Sequence, residues 1–300
     1  MPETKPLYGA VEAGGTKWIC AVGTGPDDLR DRARFPTTTP DETLGAVLEY
    51  FRDARDRHGP LQAVGVACFG PVDLDPASST WGHVTATPKP GWAETDVAGP
   101  IARELGVPVG FDTDVNGAAL AEARWGAGQG LDSLVYVTVG TGIGGGAVIH
   151  GRPVHGLVHP EMGHVPVQRR PDDTFAGRCP FHGDCFEGLA SGPAIHERWG
   201  RPGEDLPPGH EAWDLQAFYL GALATTLTLT LSPQRLIFGG SVCKAPGLLG
   251  KARVALLDAL AGYVRSPKLD HGAAGYLVAP GLGDDAGILG AVELARRAAP

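Results

Sequence analysis

The feature that most constrains this chain is a device it carries twice. Apolar runs at 8–13 and 18–22 are separated by Gly14-Gly15-Thr16-Lys17, and runs at 134–139 and 147–150 by GTGIGGG, residues 140–146. Short apolar runs bounded by turn residues read as buried strands, and a glycine-rich turn between two of them reads as a hairpin. Without a Cβ, glycine lets backbone N–H groups approach a ligand closely, so such hairpins can offer amides to phosphate oxygens. Ordinary tight hairpins are the alternative. Two copies, together with Gly239-Gly240-Ser241 after a third strand, favour the phosphate reading, with Thr16 and Thr141 adding hydroxyl donors. Gly140, Gly142 and Gly145 match G-x-G-x-x-G, but the loop returns into a strand instead of opening a helix. It is therefore no dinucleotide fingerprint, and the chain has no Walker A motif.

Helical patterns alternate with the strands. Thr39 and Glu42 have capping-box spacing around Pro40, Leu44, Val47, Leu48 and Phe51 form one apolar face, and Gly59-Pro60 ends the helix. A strand at 107–111 delivers Asp112-Thr113-Asp114, and a helix is expected from about Asn116 to Trp125. Asn116 is read either as its cap or as a ligand. Further helices are expected at 211–231, 247–263 and 284–297, with strands at 235–238 and 276–279. This alternation predicts an α/β fold. The repeated opening predicts two related α/β domains flanking an active-site cleft. One is the smaller N-terminal domain, 1–117 plus a C-terminal helix at about 285–300. The other is a larger domain, 118–284, with an inserted loop at 159–187.

With 25 basic and 34 acidic residues the net charge is −9, which gives no electrostatic reason to bind nucleic acid or an anionic membrane. No apolar run approaches the ~20 residues that span a bilayer, and the polar start at 1–7 is unlike a signal peptide. The cytoplasm is the expected location. Cys20, Cys68 and Cys243 read as small buried residues. Cys179, His182 and Cys185 have C-x-x-H-x-x-C spacing, and His164 lies upstream. Two thiolates and two imidazoles make the closed tetrahedral set of a structural Zn2+ site. Glu161 and Glu187 flank these ligands, and carboxylates are strong acceptors for hydroxyl groups. Trp92, in a Pro-Gly loop, is read either as a ring-stacking surface or as a packing anchor.

These segments resemble the ROK family of bacterial sugar kinases. EAGGTK (12–17) is similar to the family's first phosphate motif, GTGIGGG to its second and IFGGS (237–241) to its adenosine motif. FDTDVNGAALAE (111–122) is similar to the segment with the catalytic aspartate, and HPEMGH (159–164) and CPFHGDCFEGLASGP (179–193) to the sugar and zinc segments. CFGPVD (68–73) and TPKPGW (87–92) resemble the fructokinase branch. The resemblance implies the actin-like ATPase (ribonuclease H-like) fold and ATP-dependent phosphorylation of a hexose, D-fructose first. Glucose, mannose or an N-acetylhexosamine is the alternative within the family, and a non-catalytic sugar-sensing regulator is the alternative of another class. Asp114 is the implied general base, since a sugar hydroxyl must lose its proton as it attacks phosphorus. Asp112, inside the strand run, is read as structural or as a metal-water ligand. The sugar would be held by Glu161, Glu187, Thr113 and His159. His159 is read either as a sugar contact or as a loop residue, and Thr113 stands where the family usually has Asn. The nucleotide would be held by Gly14, Gly15, Thr16, Lys17, Thr141, Gly142, Pro193, Gly239, Gly240 and Ser241, with Lys17 either on phosphate or solvated. Glu12, where the family more often has Asp, would order the water of Mg2+. The resemblance also implies a homodimer.

Overall fold

The structure, a computed structural model, describes residues 6–300, so most of the polar start lies outside the described residues. The described residues divide into two compact units, one of residues 6–125, 152–160 and 285–300, the other of 126–151 and 161–284.

In the first unit β1 (Tyr8–Ala13) and β2 (Lys17–Gly25) form the expected hairpin, and β3 (Asp28–Pro36) adds antiparallel to β2. β3 was not expected. Five of its nine residues are charged, yet burial alternates along it, as in a strand with one solvated face. Helix α1 (Pro40–His58) follows. The Glu42 amide donates to the Thr39 hydroxyl, and Gly59 closes the helix; such an N-cap contributes about 1 kcal/mol. Leu44, Val47 and Phe51 are buried, as the periodicity predicts. β4 (Ala63–Cys68) is parallel to β1, followed by the short pair β5 (His83–Val84) and β6 (Thr95–Asp96), then α2 (Ala98–Leu105). β7 (Val109–Thr113) is parallel to β4, giving the order β3-β2-β1-β4-β7.

Helix α3 (Asp114–Trp125) starts two residues before the expected Asn116. Its cap is Thr113, whose hydroxyl accepts from the Asn116 amide at 3.1 Å. A division at 117/118 would cut this helix; it stays whole in the first unit because it packs on the last helix, α8 (Ala286–Ala298), where a Cβ on Gly290 would come within 2.3 Å of the Gly117 backbone. The same helix seats on the sheet. Gly65 and Gly110 are register partners on β4 and β7, and a Cβ there would lie 1.8 Å from the Ala291 carbonyl and 2.2 Å from that of Leu294. Close approach explains both glycines.

The second unit repeats the plan. β8 (Ser133–Val139) and β9 (Ile143–Ile149) form the second hairpin, and β10 (Arg152–Pro153) begins the segment that returns to the first unit. After α4 (Phe186–Ala190), α5 (Gly192–Trp199) and α6 (Ala212–Leu231) comes β11 (Leu236–Gly239), parallel to β8. Helix α7 (Leu248–Leu260) leads to β12 (Leu277–Val278), parallel to β11. β1 and β8 thus play one role: each pairs antiparallel with its hairpin partner and parallel with the strand that follows the hairpin in sheet order. Cys20, Cys68 and Cys243 are buried.

Candidate active site

In the first unit three parallel strands end in register. Ala13 pairs with Cys68 and Cys68 with Thr113, so Gly14, Phe69 and Asp114 leave the sheet at one edge. Carboxyl edges of parallel strands are where α/β sheets bind ligands. Asp114 is half-buried at the first turn of α3, and its Oδ1 accepts from the Val115 amide at 2.9 Å. Asp112, the rival carboxylate, is buried and fully engaged: Oδ1 accepts from the Thr113 amide at 2.8 Å and Asn116 Nδ2 at 2.7 Å, and Oδ2 meets His155 Nε2 at 3.0 Å. This leaves Asp112 structural and makes Asn116 a brace to it. Thr113 uses its hydroxyl as the cap of α3.

Glu12, one register row behind Ala13, is the other carboxylate of this edge. Burial, and next the Asp114 charge, push its pKa to about 7, while Lys17 and Arg32 pull the other way. Its Oε2 is buried without a hydrogen-bond partner, and a Cβ on Gly287 would sit 2.5 Å from its carboxyl carbon. A buried carboxyl oxygen with no donor, near the charge of a second carboxylate, suits a hydrated hard cation once ionised. The shift also has a stability consequence. A carboxyl raised from 4.5 to about 7 favours the neutral form in the fold. Its contribution is complete below pH 4.5 and is lost as pH rises through about 7, a change of about 3 kcal/mol. Glu12→Gln is therefore expected to melt above wild type at pH 8 without added divalent cations, the difference vanishing near pH 4. Parallel melting curves at both pH values would contradict this. Between β1 and β2 the turn is closed by the Gly14 amide on the Lys17 carbonyl at 3.0 Å, and Thr16 is exposed at its tip.

In the second unit the glycines of the 140–146 hairpin serve a purpose the sequence reading missed. The Ile143 amide donates to Glu187 Oε2 at 2.9 Å, and a Cβ on Gly142 would lie 2.6 Å from that oxygen. The hairpin is thus shaped around the glutamate. Glu187 Oε1 also stands 3.9 Å from His164 Nε2. Glu161 is exposed, yet desolvation of its carboxyl and the Glu187 charge push its pKa to about 7. The two carboxylates are close enough to repel.

The four Cys and His residues do meet. Ligand atoms of His164, Cys179, His182 and Cys185 lie within 4.8 Å of one another. Cys179 Sγ is 3.6 Å from both His164 Nδ1 and His182 Nδ1, and Cys185 Sγ is 3.6 Å from His164 Nδ1. A tetrahedron with zinc–sulfur and zinc–nitrogen bonds of usual length has S···N edges of about 3.6 Å. The donor set therefore fits a closed four-ligand cation site. Beside it a buried pair, Arg198 Nη2 on Asp173 at 3.0 Å with the Tyr219 hydroxyl on the same carboxylate, fixes the loop leading to Cys179.

A cavity of about 820 Å³ opens in this unit, lined by Gly140, Thr141, Pro193 and Ser241 among the expected nucleotide residues. Its volume suits a nucleotide-sized ligand. Gly239 and Gly240 stand just before Ser241, Gly240 with φ +87°. Trp213, Arg178 and Lys244 also line it and were not anticipated; nothing in their local sequence marks them.

Two side chains whose roles the sequence leaves open have their contacts here. His159 is buried, its Nε2 accepts from the Val72 amide at 3.1 Å, and its ring also hydrogen-bonds the Pro160 backbone. Burial holds it below the usual histidine range. Of its two readings the loop residue fits. Trp92 is fully buried against Trp18 and Phe69, with its indole N–H on the Thr38 carbonyl, and is a packing anchor.

The profile of the ROK family matches residues 8–298. The chain belongs to the ROK family. Among its relatives, the fructokinase of Zymomonas mobilis is 45% identical over 299 residues, covering 98% of both chains. A glucokinase of Streptomyces coelicolor is 28% identical over 326 residues, covering 97% of this chain and 98% of its own. The crystal structure of a ROK hexokinase from Thermus thermophilus superposes with a TM-score of 0.78 at 27% identity, covering 97% of this chain and 98% of that one. The mixed α/β sheets described above are those of a ROK sugar kinase. Among the described residues no helix is long and apolar enough to cross a membrane.

Proposed function

We propose that this chain is a kinase that phosphorylates D-fructose with ATP to fructose 6-phosphate. The observation that carries this is full-length identity of 45% to a fructokinase, against 28% to a glucokinase. Asp114 accepts the proton of the C6 hydroxyl as that oxygen bonds to the γ-phosphorus. The bond from phosphorus to the β,γ-bridging oxygen breaks, and ADP leaves. Amides and hydroxyls of the 14–17 hairpin, with Thr141, Pro193 and Ser241, hold the nucleotide. Mg2+, when bound, supplies charge neutralisation at the transferred group, and Glu12 would order its water. Glu161 and Glu187 accept from sugar hydroxyls. His164, Cys179, His182 and Cys185 would hold Zn2+ in a closed site with no position for substrate, so the metal's role is to fix the segments that carry both glutamates. A cytoplasmic homodimer is the assembly proposed, on family resemblance.

The test is an ADP-release assay across fructose, glucose, mannose and N-acetylglucosamine. Fructose is expected to give the highest kcat/KM. A ranking led by glucose would transfer the reading to the glucokinases, and absence of turnover with every sugar would remove the kinase reading.

A further inference from the structure

Residues 154–159 form an arch held at two points. Its tip contributes little burial: Leu157 is 101% and Val158 59% exposed. The fixed points are two imidazoles in opposite roles. His159 Nε2 accepts from the Val72 amide, just beyond the carboxyl end of β4. His155 Nε2 meets Asp112 Oδ2 at 3.0 Å, at the carboxyl end of the adjacent strand β7. An ionised carboxylate only accepts, so Nε2 of His155 carries the proton. The other oxygen of Asp112 already takes the Thr113 amide and Asn116 Nδ2, and Thr113 caps α3 through the Asn116 amide. Residues 112–116 are therefore one closed ring of hydrogen bonds, with Asp114 inside it and His155 as its brace from a different segment. The Asp112 side chain is 4% exposed, and without His155 one oxygen of a buried carboxylate would lose its donor.

We propose that His155 is a positioning residue for phosphoryl transfer: through Asp112 it holds the 112–116 turn and so sets the aim of the Asp114 carboxylate. This rests on the sugar-kinase reading above. Small misplacements of a reacting group cost rate more than binding.

The experiment compares purified wild type, His155→Leu and His155→Gln by steady-state kinetics with fructose and ATP, with melting curves as a check on folding. Glutamine places an amide donor at the same reach as Nε2; leucine has none. His155→Leu is expected to lose about ten- to hundredfold in kcat with both KM values changed less than about twofold, and His155→Gln to recover most of the loss. Should the leucine variant not fold, His155→Asn, whose donor is one atom too short, takes its place. Unchanged kcat in a folded leucine or asparagine variant overturns the inference. So does a rise in fructose KM at constant kcat, or a glutamine variant as impaired as leucine. Active wild type with any of these results leaves the kinase reading standing. Wild type inactive on every hexose overturns that reading, and this inference with it.

Discussion

Asp114→Asn is expected to fold and bind normally and to lose about 10²- to 10⁴-fold in kcat, the usual scale for removing a general base. The geometry favours a clean result. Asp114 Oδ1 accepts from the Val115 amide, and an asparagine oxygen can do the same, so the first turn of α3 keeps its local bond. The helix cap is Thr113, not Asp114, so capping is untouched. The substitution also removes a negative charge that raises the Glu12 pKa, which should ease rather than strain the fold. ADP release with fructose, read beside the melting temperature, checks this. Turnover near the wild-type rate in a folded variant would remove Asp114 from the role of base.

The second large effect concerns the Cys and His cluster. On the proposal that this cluster holds Zn2+, stripping the metal, or Cys185→Ser, is expected to lower the melting temperature and weaken fructose binding about tenfold or more, with ATP affected less. Cys185 immediately precedes α4, which carries Glu187, and His164 follows Glu161 by three residues. A metal held there would tie together two segments whose carboxylates stand close: desolvation first, and the Glu187 charge second, raise the pKa of Glu161. With the tie cut, their repulsion is free to separate them. Calorimetric titration of metal-free protein with fructose and with ADP measures both affinities. Unchanged fructose binding, with metal content verified as nil, would contradict the prediction.

What the sequence made legible was local. The capping box of α1, the strand–turn–strand form of the two glycine hairpins and the C-x-x-H-x-x-C spacing each lie within a few residues; the cap and both hairpins formed, and the spaced Cys and His side chains came together. What it missed or left open involves partners far apart in the chain or competing side chains. His155 meets Asp112 across 43 positions and Val72 meets His159 across 87, and no local pattern encodes either. Asn116 looked like a cap because Asn suits that position, but Thr113 competes for it and Asp112 claims the amide. β3 was missed because its solvated face carries most of its charges, which mask an alternation of only Leu29, Asp31, Ala33 and Phe35 on the other. Gly142 was read for phosphate alone because Glu187, which needs the same space, lies 45 positions away.

The seating of α8 on Gly65 and Gly110 sets a timetable for synthesis. This helix completes the first unit, yet it follows the whole second unit in the sequence. On the ribosome the strands of this sheet and α3, with Glu12 and Asp114, emerge early, and the α8 seat stays uncovered until some 160 further residues have been added after α3. The second unit can close while the first is still open. A nascent or truncated chain lacking α8 would therefore leave the seat at Gly65 and Gly110 uncovered, with only α3 beside it on β4.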